Sequence, residues 1–140
     1  MGGMEADGSA ETGSPNMRAT STDAGWVFTW LGRGLAALLF AFWGIFFLEH
    51  LGEWFLAPEA GWPPPAVWLA QALHLAMLVG LALMIVREGP GAVATVAATA
   101  AFFLAIGYRG SLALPLVNLA PIACFSIARR LGRVAGEAQA

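Results

Sequence analysis

The chain carries very little charge for its length. Only 11% of its 140 residues are Asp, Glu, Lys or Arg, against roughly 25% in an ordinary soluble domain. So few ionic groups cannot cover a water-soluble fold of this size, which excludes that class. Lysine is absent, and all seven basic residues are arginine. With a formal net charge of −2 there is no basic surplus to meet phosphates, so a nucleic-acid partner is excluded. The missing lysine and the abundant alanine point to a GC-rich bacterial genome. A single cysteine, Cys124, permits no internal disulfide and leaves the redox compartment open.

Residues 1–25 lack Leu, Ile, Val, Phe, Trp and Tyr altogether. They have nothing to bury, so a disordered tail is predicted. No basic segment there is followed by an apolar run, so a signal peptide is not expected. Ala6 stands where N-myristoylation requires Ser or Thr. Met17, followed by Arg18, is an alternative to Met1 as the start. A Ser-His-Asp set, paired carboxylates within an apolar run, CxxC, a P-loop and a dinucleotide fingerprint are all missing. The chain is therefore expected not to be an enzyme and to carry no cofactor of its own.

What is present is apolar length. Hydrophobic residues make up 59% of the chain, above the roughly 45–50% of soluble domains. Residues 66–86, AVWLAQALHLAMLVGLALMIV, include no Asp, Glu, Lys or Arg. As a helix they extend about 31 Å, the thickness of a bilayer's hydrocarbon core. Three further spans are predicted at 28–48, 91–107 and 112–128. In the first, Arg33 can snorkel to the head groups beside Trp26 and Trp30. Beyond it, Leu51, Trp54 and Phe55 can share one side of an interfacial extension. Pro58 and the run Pro63, Pro64, Pro65 then stop the helix.

Residues 87–91, Arg-Glu-Gly-Pro-Gly, read as a short turn, so the third span must return beside the second. Gly91, Thr95 and Thr99 recur every four residues, as do Ala94 and Ala98, a spacing that lets helix backbones approach closely. Residues 108–111 form the next turn. Pro115 and Pro121 predict a kink in the fourth span, and Arg129, Arg130 and Arg133 end it before a short tail at 131–140.

Short connections predict an all-α integral membrane protein, an antiparallel four-helix bundle with a disordered N-terminal tail. With both termini inside, six of the seven arginines are cytoplasmic and only Arg109 is outside. The bacterial inner membrane is the expected location. The expected partners are the lipid bilayer and a second copy or a larger membrane complex.

His74 lies near the centre of the second span, with Gln71 one turn before it on the same face. Ionisable side chains at that depth usually face the bundle interior. Two readings follow: an imidazole that fixes packing by bonding to Gln71, Asn118, Thr95 or a backbone carbonyl, or a site for haem, quinone or protons. His50, near the end of the first span, lies at a different depth and so is not expected to pair with His74 on one haem. Asn118 is expected to bridge helices or line a polar cavity. Glu49, His50 and Glu53 fall within about one turn and are weak metal-ligand candidates, more simply a solvated rim. Cys124, in an apolar span, is expected to be a buried, inert thiol.

Several of these features occur together in a known family. Arg33 opening an aromatic first span, the Phe47 to Glu49 exit, His74, and Arg87-Glu88-Gly89 before the third span resemble small prokaryotic four-helix membrane proteins catalogued as a domain of unknown function. The likeness runs from about Trp26 to Arg129. A weaker similarity, through Arg33, Phe40 and Gly44, is to the DoxX-like membrane proteins, whose acidic second-span residue is replaced here by the neutral Gln71. Neither resemblance implies an established chemistry. The expected function is that of a non-catalytic accessory or structural membrane subunit. The alternatives are a redox or proton-coupled subunit at His74 and, as an oligomer, a small solute carrier.

Overall fold

The computed structural model describes residues 16–56 and 61–137. Among them every regular element is helical, and four helices are long and apolar enough to cross a membrane. The first, α1, spans Asn16–Leu51 and continues into a π-helical turn, Gly52–Leu56. The backbone of residues 16–25 is thus helical where the sequence predicts disorder. Once the apolar stretch has nucleated a helix, each flanking residue adds a hydrogen bond at little cost, and Met17, Arg18 and Ala19 are good helix formers. The expected disorder of residues 1–15 and the helix-stopping role of Pro58 lie outside the described residues.

The second helix, α2, spans Pro65–Val86, with Pro65 in the first turn where a missing N–H costs nothing. The predicted five-residue turn shrinks to one residue, Arg87, because α3 already begins at Glu88 (Glu88–Ala105). Its first turn absorbs Gly89 and Pro90, and Gly91 N–H bonds back to the Arg87 carbonyl at 3.0 Å. At its far end α3 stops on Gly107, whose φ of +62° suits glycine. Tyr108 N–H reaches the Phe103 carbonyl and Gly107 N–H the Leu104 carbonyl, the paired bonds of a Schellman cap.

The fourth span is two helices, α4 (Ala113–Val117) and α5 (Ala120–Glu137). Pro121 has no N–H for the Val117 carbonyl, so the helix breaks at Asn118 and Leu119. Leu119 N–H turns instead to the Leu116 carbonyl at 2.9 Å. Helix α5 then continues past the arginines to Glu137, further than the tail predicted from residue 131.

Neighbouring helices run antiparallel. Gly91 lies against Met84 and Gly80 against Thr95, so residue numbers rise along α3 as they fall along α2. Gly25 beside Ala128 and Gly32 beside Phe125 set α5 against α1 in the same sense. Helix α1 meets α2 through Trp43 and Phe47 at His74. The core holds Leu39, Trp43, Met77, Leu81, Met84 and Phe125. The outer faces remain apolar, with Leu104 81% exposed and Leu38, Ile45, Leu48, Val79 and Val93 all exposed.

At one end an ion cluster ties three helices. Glu88, at the start of α3, is 3.9 Å from Arg33 of α1 and 3.6 Å from Arg129 of α5. Arg33 also lies over the Trp30 ring at 5.5 Å. It is therefore a helix-to-helix link as well as the interfacial anchor expected of it. Glu88 also suits the N-terminal end of the α3 dipole.

Candidate functional site

Asn118 occupies the break between α4 and α5 because the two prolines leave the backbone there without a continuous ladder. It is fully buried. Trp43 Nε1 of α1 donates to Asn118 Oδ1 at 2.8 Å. Asn118 Nδ2 donates to Thr99 Oγ1 of α3 and to Met77 Sδ of α2, each at 3.4 Å. One amide therefore joins all three other long helices. The expected bridging role is present, and its bonds go to Trp43, Thr99 and Met77, none of them to His74.

His74 stands one layer away from this node. Its ring is edge-on to Trp43 and Phe47, with centroids at 5.8 and 5.5 Å, and tilted against Phe102 at 4.9 Å. It is 4% exposed, yet among the described residues its Nε2 has no hydrogen-bond partner. The same is true of Gln71 Nε2, in a side chain 9% exposed, and of Thr95 Oγ1. A packing role through Nε2 bonds to Gln71, Asn118 or Thr95 is thus not realised. The aromatic shell around the ring excludes Asn118, whose amide is already committed to Trp43.

Gln71 and His74 both line one cavity of about 260 Å³, with Trp54, Phe102 and Ile106 among its walls and His50 on its α1 side. Phe47 touches His74, and His50 lies one turn further along the same side of α1. The two histidines, expected at different depths, stand at different levels of a single cavity. From Val67 to His74 it follows α2 for about 10 Å. The Phe46 carbonyl can only accept, so His50 Nδ1, 2.8 Å away, carries the proton in that contact. Nε2 of a neutral His50 is then an acceptor. The π-helical turn supplies Trp54 to the cavity, and π turns recur at functional positions.

The candidate metal set does not assemble. Among the described residues no three His, Cys, Asp or Glu side chains form a group able to hold an ion. Glu49 and Glu53 stay exposed on the helix rim, and only His50 of the three reaches the cavity.

Sequence reasoning missed Trp43 and Thr99 as partners of Asn118, and Glu88 as the hub for two arginines. Glu88 was findable: it is the only carboxylate between Glu59 and Glu137, on the arginine-rich side. Trp43 was not, since an indole in an apolar helix carries no periodic signal of its polar partner. Cys124 is buried, as expected. Its thiol should stay unmodified by a maleimide in the folded protein and react fully in denaturant; rapid labelling of the native protein would contradict the burial.

No protein-family model matches the chain, and no curated protein or solved structure does so.

Proposed function

We propose that this chain is a multi-pass protein of a bacterial inner membrane, an antiparallel four-helix bundle whose role is that of a non-catalytic accessory subunit holding a small ligand. The observation that carries the ligand is the pair of buried, unpartnered nitrogens on Gln71 and His74 facing one cavity. Buried polar groups are ordinarily satisfied, and the exceptions gather at functional positions. Membrane insertion is supported by the apolar outer faces, which a soluble monomer would not expose on this scale. Likeness to the small prokaryotic four-helix family is proposed on the same residues, with His74 inside the cavity and Glu88 at the ion cluster.

The alternatives fare less well. A cavity of about 260 Å³ lies below the roughly 300–1,000 Å³ of pockets for drug-sized ligands. It has no room for a haem macrocycle. A carrier needs a continuous path, whereas Trp43, Met77 and Asn118 fill the core beneath the cavity. The protein purified in mild detergent should associate with a larger membrane complex or a second copy and show no Soret band. A Soret band would overturn the reading, as would a lone monomer with no partner in the native membrane.

Orientation follows from arginine asymmetry, six residues on one side and Arg109 on the other. Reporter fusions at both termini should behave as cytoplasmic, and one inserted after Gly61 as periplasmic; a periplasmic signal from either terminus would reverse or break this topology. For His74 the expected stability effect is small. In His74→Leu the loss of edge-on aromatic contacts, about 0.5–1.5 kcal/mol, is offset by removal of an unpartnered buried nitrogen, about 1–3 kcal/mol. Thermal unfolding should therefore stay near the parent value; a large loss would restore a packing role for the imidazole.

A further inference from the structure

We infer that the cavity between α1, α2 and α3 binds the head group of a lipid quinone, a single ring bearing carbonyl or hydroxyl oxygens on an apolar tail. The inference rests on the ligand-holding role proposed above and names its ligand class.

The chemistry of the walls selects the ligand. Gln71 presents an amide nitrogen with N–H donors and no partner within the described residues. That group asks for an oxygen acceptor inside the cavity. His50 Nε2, opposite on α1, is an acceptor when the ring is neutral, because Nδ1 donates to Phe46. His74 Nε2 can take either role. A quinone carbonyl accepts from Gln71, and a quinol hydroxyl can also donate to an imidazole nitrogen. The site therefore suits both forms by binding alone, with no electron transfer required of this chain.

The remaining walls suit a ring. Trp54 and Phe102 supply aromatic faces, and Val67, Ala70 and Ile106 supply aliphatic ones. A water cluster filling this volume would be poorly served, since each water needs roughly two to four polar partners. Sugars and nucleotides would leave most of their hydroxyls or phosphates facing carbon. Size points the same way: about 260 Å³ admits one substituted ring, so a tail must lie outside. The opening lies between the π turn, the first turn of α2 and the end of α3, where the side chain of Ile106 is 45% exposed. In the proposed orientation that is the outer interface, where a lipid-soluble ring with polar oxygens resides.

The test uses the full chain in phosphatidylcholine nanodiscs free of quinone, titrated with decylubiquinone and followed by tryptophan fluorescence. Saturable quenching at one site per chain is expected. Gln71→Leu and His74→Leu should each weaken it at least about tenfold, the cost of one lost buried hydrogen bond. Ala70→Trp, which fills the cavity from a wall position, should abolish it while helicity and melting temperature are kept. Equal affinity in the parent and in folded Gln71→Leu and His74→Leu would overturn the quinone assignment, since the oxygens would not be recognised. Absence of saturable quenching in the parent would overturn it too. An Ala70→Cys, Cys124→Ala variant separates the two levels of inference. A thiol at position 70 that reacts with methyl methanethiosulfonate without quinone binding sinks only the ligand class. An unreactive one sinks the cavity reading as well.

Discussion

Asn118→Leu is expected to destabilise the bundle more than any exposed substitution, by about 2–3 kcal/mol. The side chain is fully buried and its volume is close to that of leucine, so little of the effect comes from a cavity. The loss is electrostatic. Trp43 Nε1 would lose its acceptor at 2.8 Å and remain an unpaired indole N–H between helices. Stranding a buried donor costs about 1–3 kcal/mol. Thr99 loses a partner as well, and the bonds to α1, α2 and α3 disappear together. Interhelical hydrogen bonds in lipid average only about 0.6 kcal/mol each, so the stranded indole dominates the sum. Trp43→Phe in the same background should recover part of the loss by removing the orphan donor. Unfolding in a detergent series reads both. A melting temperature unchanged in Asn118→Leu would show that the amide is decoration on a core held by packing alone.

Much of the fold was legible because lipid-scale helices announce themselves by length. The second span was placed within one residue, since Pro65 and Arg87 bracket an uninterrupted apolar run. The break in the fourth span was also legible, because proline removes a specific N–H whatever the surroundings. Helix ends were not. Residues 16–25 and the end of α5 are polar, and composition alone does not reveal a helix propagated outward from an apolar core. The site was half visible. Gln71 and His74 stood out as polar residues on one face of an apolar span. Their shared cavity with His50 depended on α1 remaining helical beyond Glu49, which the interfacial character of that stretch only suggested. The partners of Asn118 were invisible for a different reason. Each is an apolar or small residue in its own helix, and only the tertiary arrangement makes Trp43 a donor and Thr99 an acceptor.

Gly91→Ala carries the other large expected effect, a loss of about 2–3 kcal/mol, at the upper end for overpacking. A Cβ on Gly91 would stand 2.3 Å from both the Cα and N of Met84. The obstacle is backbone, so rotamer changes cannot relieve it and α2 and α3 must separate. Gly80 makes the reciprocal approach, where a Cβ would meet Thr95 N and Oγ1 at 2.8 Å. Gly80→Ala should thus behave like Gly91→Ala, somewhat more mildly because the contact is longer. Gly44 is the control: nothing lies within 4 Å of its added Cβ. Gly44→Ala should hold or raise stability, by up to about 1 kcal/mol from helix propensity. The stripe of Gly91, Thr95 and Thr99 is therefore a close-approach surface, and its consequence reaches the cavity. Helix α2 carries Gln71 and His74 while α3 carries Phe102, so the separation of these two helices sets the distance between the polar wall and an aromatic one. In Gly91→Ala, quinone affinity should fall along with the melting temperature, although the substituted residue lies three turns from the cavity along α3. Retained affinity in a clearly destabilised Gly91→Ala would mean that the glycine contact holds the helices together without setting the width of the site.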